Sequence, residues 1–165
     1  LAASGDRRRR LSRDYSLRAG KPVSLKAQAV RLLARREYAR ADLEQRLLAK
    51  GAVRDEVAAV LDELSTQGLL SNERFAHALV AQKSGSYSRR SIRGELKRKG
   101  VSGEAIDGAL GDATIDDDAA LLALWQRRFG TMPANDREKA RQVRFLQSRG
   151  FELSAILKLL RNGAP

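Results

Sequence analysis

Five basic residues lie within ten positions in the middle of the chain. They are Arg89, Arg90, Arg93, Lys97 and Arg98. Arg89, Arg93 and Lys97 lie four residues apart, which places them on one face of a helix. Guanidinium and ammonium groups at this density bind phosphates through charge, and arginine adds paired hydrogen bonds. We predict that this basic face contacts a polyanionic partner; the alternative is a helix face that only water covers.

A second group of basic residues lies closer to the C-terminal end of the chain. Arg137, Arg141 and Arg144 are spaced i, i+4 and i+7, so they share a helix face. We predict a second, smaller basic patch there for the same kind of partner. Tyr87 precedes the first run, and we expect it to pack against neighbouring side chains rather than to stack on a base.

Residues that support catalysis or metal binding are few. His77 is the only histidine, and no nucleophile has a recognisable setting beside it, so we expect a helix residue without catalytic function. The acidic run Asp116–Asp118 would point in different directions on a helix and therefore fits a helix start better than a metal site. Residues 94–100 lack the Gly-Lys-Ser/Thr ending of a phosphate-binding loop. We therefore expect no enzyme activity, no cofactor and no metal.

The composition favours a helical protein that binds another macromolecule. The chain has 165 residues, of which 42% are hydrophobic and 5% aromatic, and its formal net charge is +12. Such a positive balance suits nucleic acid or an acidic protein surface. Cysteine is absent, which excludes disulfides and cysteine-ligated zinc. No stretch approaches the roughly 18 consecutive apolar residues of a membrane span.

Three segments of the chain align on glycines that each follow a basic residue. The glycines are Gly51, Gly100 and Gly150, with spacings of 49 and 50 residues. Apolar residues recur six and ten positions after each glycine, at the spacing of one helical stripe. They are Val57, Ile106 and Ile156, then Leu61, Leu110 and Leu160. A period of this length indicates a helical repeat, with each glycine ending a helix.

The repeat predicts an all-α protein of three tandem three-helix repeats, which form an elongated, curved helical array. The predicted divisions are a disordered basic tail at 1–22 and three-helix repeats at 23–70, 71–111 and 112–165. Units of this size bury little core alone, so they must stack on their neighbours. Such an array exposes long surfaces, which suit macromolecular partners better than small substrates.

Several motifs, taken in their order along the chain, are similar to those of the RecX family of bacterial regulatory proteins. The segments are ARREY at 34–38, ADLEQRL at 41–47, GLLSNERFA at 68–76, IRGELKRKG at 92–100 and KARQVRFLQSRGF at 139–151. The resemblance extends from Leu25 to Arg161. Ala39 departs from it, because the family often has a capping serine there, and we expect a weaker helix start at this residue.

The resemblance implies no catalytic activity and a cytoplasmic location in bacteria. It further implies binding to the RecA filament on single-stranded DNA, along the helical groove of the filament. The implied result is inhibition of RecA ATPase, strand exchange and coprotease activities, which modulates DNA repair by homologous recombination and the SOS response. In this interpretation the eight basic residues named above face RecA or its DNA.

Two other functions remain open at the level of sequence. A helical module that binds DNA directly, without RecA, would place a helix of the middle unit against the duplex. A helical adaptor for an unrelated acidic protein would need neither RecA nor DNA. The oligomeric state is also open between a monomer and a dimer that exchanges repeats.

Overall fold

The computed structural model describes residues 23–162, and within that range the chain forms nine α-helices and no strand. The helices are α1 (Leu25–Leu33), α2 (Arg40–Leu48), α3 (Arg54–Thr66), α4 (Asn72–Lys83), α5 (Arg89–Arg98), α6 (Gly103–Asp112), α7 (Asp117–Arg128), α8 (Asp136–Ser148) and α9 (Leu153–Asn162). None of these helices is long and apolar enough to cross a membrane. The all-α prediction is confirmed, while the basic tail predicted at 1–22 lies outside the described residues.

The helices form three units of three, and each unit surrounds its own apolar core. One core joins α1, α2 and α3, the next joins α4, α5 and α6, and the last joins α7, α8 and α9. All six apolar positions that the repeat predicts after the glycines are buried. The helix pairs that pack most extensively all lie within one unit, and no backbone hydrogen bond between described residues joins the first unit to the third. The units therefore follow one another in tandem.

Serine side chains begin the helices of the second unit. The hydroxyl oxygens of Ser71, Ser88 and Ser102 each accept a hydrogen bond from a first-turn backbone N–H, which satisfies a group that the helix itself leaves free. In the first unit, α2 begins after Ala39, whose side chain forms no such bond. The methyl group of Ala39 is instead fully buried among the core residues of the second unit. Ala39 therefore contributes to packing between units.

The three repeat glycines end α2, α5 and α8 in a left-handed backbone conformation, as predicted. The φ angle is +88° at Gly51, +74° at Gly100 and +90° at Gly150, a region that L side chains rarely adopt. After the last of these turns, Phe151 is buried in the third core and α9 begins at Leu153. Ser154 therefore lies within the first turn of α9 and is not its N-cap.

A buried polar contact holds α7 against α8 in the third unit. The indole N–H of Trp125 donates to Oε1 of Gln142 over 2.8 Å, and Gln142 is only 4% exposed. The Gln142 amide also donates to the carbonyl of Thr131 over 3.2 Å. Because buried polar groups are costly without partners, this pairing fixes the register of the two helices and of the loop between them.

Candidate binding surface

The first predicted basic face lies on the outer side of α5. Ile92 and Leu96 are fully buried and attach the inner side of α5 to the second core. Four of the five basic residues of α5 are exposed, and Arg89 is half-buried. The amphipathic spacing thus positions these side chains where a partner can reach them.

Carboxylates on neighbouring segments neutralise two of these five cations. Nη2 of Arg93 lies 2.8 Å from Oδ1 of Asp107 on α6. Nη1 of Arg90 lies 2.8 Å from Oε1 of Glu152, directly before α9. Of the five, Arg89, Lys97 and Arg98 form no ion pair with another described residue. The sequence spacing overstates the free positive charge of this face, because it does not reveal the acidic neighbours.

A groove runs between α5 and the turn that connects α8 to α9. Residues 90–98 form its α5 side, and residues 147–153 form the opposite side. Gly94 has no side chain, and a Cβ added there would lie 3.5 Å from Nη1 of Arg98. The guanidinium of Arg98 therefore lies close along the helix surface, over the space that Gly94 leaves.

The second predicted patch, on α8, is exposed as a whole. Arg137, Arg141 and Arg144 are all exposed, and none of them forms an ion pair with another described residue. In this they differ from Arg90 and Arg93 of α5, which each pair with a carboxylate. The structure thus brings three unneutralised guanidinium groups onto the outer side of the third unit.

Sequence reasoning missed a cluster in the third unit that includes one residue of this patch. We call it the arginine platform, and it consists of Arg128, Phe129, Arg141, Phe145 and Arg149. The spacing of Arg141, Phe145 and Arg149 is i, i+4, i+8, which alternates cation, ring and cation along one side of α8 and onto its C-cap residue. This alternation in the sequence would have allowed the cluster to be predicted.

Asp116 and His77, which lie outside these surfaces, form hydrogen bonds within the fold. Oδ1 of Asp116 accepts hydrogen bonds from the N–H groups of Asp118 and Ala119, as expected for a helix start. His77 is exposed on α4, and its Nε2 lies 3.0 Å from Oδ2 of Asp112. The hydrogen bond to Asp112, aided by the backbone carbonyl of Glu73, raises the pKa of His77 above its ordinary value. No group of three metal-ligating side chains occurs among residues 23–162.

Family models describe all three units of this chain. Residues 26–64 match the first three-helix domain of RecX, residues 71–110 match the second, and residues 116–160 match the third. The regulatory protein RecX of Chromobacterium violaceum is 40% identical over 141 residues, which cover 86% of this chain and 91% of the relative. RecX of Ralstonia nicotianae is 37% identical over 139 residues, which cover 84% of this chain and 87% of the relative.

Solved structures share the fold. A crystal structure of RecX from Lactobacillus salivarius superposes with a TM-score of 0.57 at 16% identity, covering 83% of this chain and 94% of that one. A second RecX crystal structure gives a TM-score of 0.60 at 20% identity, covering 84% and 74%. Three consecutive domain matches and relatives that align over nearly their whole length lead to one conclusion: this chain belongs to the RecX family of regulatory proteins.

Proposed function

We propose that this protein binds RecA filaments on single-stranded DNA and inhibits their ATPase, strand exchange and coprotease activities. The observation that carries the proposal is the presence of all three RecX domains, in order, in one chain. In a bacterial cell the protein would then act in the cytoplasm, without catalysis or a cofactor, and would modulate recombination and the SOS response.

The distribution of charge supports a polyanionic filament as the partner. Cations without carboxylate partners lie on both α5 and α8, in consecutive units of the array. The side chains that we propose to contact RecA or its DNA are Arg89, Arg90, Arg93, Lys97, Arg98, Arg137, Arg141 and Arg144. Phosphate contacts by such residues depend little on base sequence, which suits a regulator that acts wherever a filament forms.

RecA ATP hydrolysis on single-stranded DNA, measured while this protein is titrated in, tests the proposal. We expect inhibition, and the amount required distinguishes two modes of action. Inhibition at a small fraction of the RecA concentration favours blocking of filament growth, whereas a stoichiometric requirement favours coating of the groove. An unchanged rate, with active RecA filaments, would contradict the proposal.

Charge reversal tests the proposed contact residues of α5. We expect the triple variant Arg89→Glu, Arg93→Glu, Lys97→Glu to require at least tenfold more protein for the same inhibition. The matched control reverses three exposed cations of the first unit, Arg31, Arg46 and Lys50. Equal loss in the two triple variants would show that net charge, rather than the face of α5, carries the effect.

Binding experiments without RecA separate the proposal from its rivals. A direct DNA-binding module would bind duplex DNA tightly, with a steep dependence on salt, and would not need RecA. An adaptor would retain an acidic protein partner after nuclease treatment. Weak duplex binding together with inhibition of RecA supports the regulatory function.

A further inference from the structure

Two phenylalanine rings in the third unit form the centre of a cationic cluster. The rings of Phe129 and Phe145 meet edge to face, with centroids 5.5 Å apart and an interplanar angle of 90°. The guanidinium carbon of Arg128 lies 5.6 Å from the first centroid and 5.5 Å from the second. That of Arg141 lies 6.0 Å from Phe129, and that of Arg149 lies 5.0 Å from Phe145. Three guanidinium groups thus surround one pair of rings.

This arrangement orders the three arginines without neutralising them. A cation above a ring is held by the quadrupole of the ring and keeps its full charge. No carboxylate within the described range forms an ion pair with any of the three, in contrast to Arg90 and Arg93 of α5. Arg128 and Arg141 are exposed to solvent, and Arg149 donates a hydrogen bond to the hydroxyl of Tyr87. The platform therefore presents ordered guanidinium groups whose charge is available to an anion.

The spacing of the guanidinium groups suits several anionic groups close together. Arg128 and Arg149 both lie within 5.5 Å of the Phe145 centroid, so their guanidinium carbons cannot be farther apart than twice that distance. The guanidinium groups therefore lie close enough together to meet neighbouring anionic groups of one ligand. A nucleic-acid strand carries a phosphate at every nucleotide along its length, so it supplies such neighbouring charges.

The rings themselves are not available as stacking platforms for bases. Both are half-buried, and the guanidinium groups lie near the ring surfaces that remain. Contact with bases through ring stacking, as in many proteins that bind single strands, is therefore not what this geometry offers. Arginine instead offers planar, paired hydrogen bonds to phosphate oxygens, which carry no sequence information.

We propose that the arginine platform binds the sugar–phosphate backbone of single-stranded DNA, so that the third unit contacts DNA directly. This inference deepens the proposed function, since it assigns the DNA contact of the filament-bound protein to a particular surface. It can be tested separately from that function, because the platform should bind DNA in the absence of RecA.

Fluorescence anisotropy of a labelled oligothymidylate, with the full chain and no RecA, tests the platform. We expect the double variant Arg128→Gln, Arg141→Gln to weaken binding at least tenfold at low salt. Each lost phosphate contact should also reduce the slope of log affinity against log salt by about 0.7 for a single strand, or about 1.4 for both. Arg128→Lys, Arg141→Lys keeps the charge but not the planar fork, so its affinity should be intermediate.

The matched control is Arg46→Gln, Lys50→Gln, which removes the same charge from exposed positions of the first unit. It should change affinity less than twofold. Equal weakening in the two double variants, or an unchanged affinity in the platform variant, would overturn the inference. Displacement of the DNA by polyglutamate at equal charge concentration would also overturn it, since a carboxylate-bearing protein would then be the better ligand.

The RecA ATPase titration, run with the same proteins, separates the two proposals. If the wild-type protein inhibits RecA but its DNA binding does not depend on the platform, the platform proposal is wrong and the regulatory function stands. If DNA binding depends on the platform but RecA is not inhibited, the regulatory function is wrong and the platform proposal stands. Thermal melting of each variant confirms folding, which we expect because Arg128 and Arg141 are exposed.

Discussion

The two junctions between units begin with the same contact but are completed by different chemistry. At the first junction, between the first and second units, the backbone N–H of Arg40 donates to Oδ1 of Asn72 over 2.9 Å. At the second junction, between the second and third units, the N–H of Arg89 donates to Oδ1 of Asp117 over 2.8 Å. In both cases the start of a middle helix meets the first residue of the first helix in the next unit. The repeat of the sequence is thus also a repeat of the way units join.

Side-chain ion pairs complete the first junction. Nζ of Lys99 lies 2.7 Å from Oδ2 of Asp42, and Nε of Arg74 lies 2.8 Å from Oε1 of Glu37. All four side chains remain between 29% and 47% exposed. Long, partly hydrated side chains tolerate small changes of geometry, and salt weakens their attraction. The first junction is therefore adjustable.

Backbone groups, together with the exposed Arg90–Glu152 ion pair, complete the second junction. The N–H of Ser88 donates to the carbonyl of Arg149 over 3.0 Å, and the Ser88 hydroxyl donates to the carbonyl of Gly150 over 2.8 Å. Ser88 is only 2% exposed. No backbone-to-backbone hydrogen bond crosses the first junction within residues 23–162. The comparison teaches that one repeat can form a rigid joint and an adjustable joint by changing a few side chains.

Replacing Gly150 by alanine should have the largest effect on this difference. A Cβ at Gly150 would lie 2.5 Å from Oγ of Ser88 and 2.5 Å from Cβ of Ser91, and φ is +90°. The left-handed conformation costs about 1–2 kcal/mol for a residue with a Cβ, and overpacking costs about 1–3 kcal/mol. We expect the free energy of unfolding, measured in denaturant, to fall by about 2–5 kcal/mol, together with a longer average distance between the second and third units.

Alanine at the two equivalent glycines provides matched controls. Gly100 has a φ of +74° and only the Cβ of Ala41 at 4.0 Å, while Gly51 has a φ of +88° and nothing within 4 Å. Both variants should show backbone strain alone, of about 1–2 kcal/mol. Equal losses at all three glycines would mean that close packing does not distinguish the second junction.

Replacing Ser88 by alanine would make the second junction chemically similar to the first, which has Ala39 at the equivalent position. The variant loses both the cap of α5 and the hydrogen bond to Gly150, so we expect a loss of about 2 kcal/mol. Ser102→Ala removes a cap whose hydroxyl forms no hydrogen bond to another unit among the described residues, and it should cost about 1 kcal/mol. If the two variants lose the same free energy in denaturant unfolding, the hydroxyl does not stabilise the junction.

Local features of the sequence predicted most of the fold. The repeat glycines and the apolar residues after them determine where helices end and which side faces a core, because both depend on neighbours a few residues away. The serine caps follow from the same local chemistry. These signals predicted three helices per unit.

Contacts between residues that are far apart in the chain could not be predicted from the sequence. The pairing of Ser88 with Gly150 spans 62 residues, and so does that of Arg90 with Glu152. Helical spacing shows that a cation is on the outside but not that a carboxylate from another helix meets it. For this reason the sequence located the basic face of α5 correctly on the surface and overstated its free charge.

Raising the salt concentration should affect the first junction more than the second, which keeps its backbone hydrogen bonds and whose Arg90–Glu152 ion pair is already more exposed. Screening weakens the Lys99–Asp42 and Arg74–Glu37 pairs, each worth about 0.5–1 kcal/mol at most. We expect distances between spin labels on the first and second units to broaden from low to high salt. The variant Lys99→Met should show the broad distribution at all salt concentrations. Equal broadening across the second junction would contradict the proposed difference.

The smallest predicted effect is a pH dependence confined to the connection between the second and third units. His77 pairs with Asp112, the last residue of α6, from which the chain leads into the third unit. Because the folded protein raises the pKa of His77 above 6.5, the charged form stabilises the fold. This contribution is fully present below about pH 6 and is lost as pH rises through the raised value. We expect the melting temperature to fall slightly between about pH 6 and pH 8, and His77→Gln, which removes the only histidine, should abolish that change. A slope that persists in the variant would assign the pH dependence to groups other than this pair.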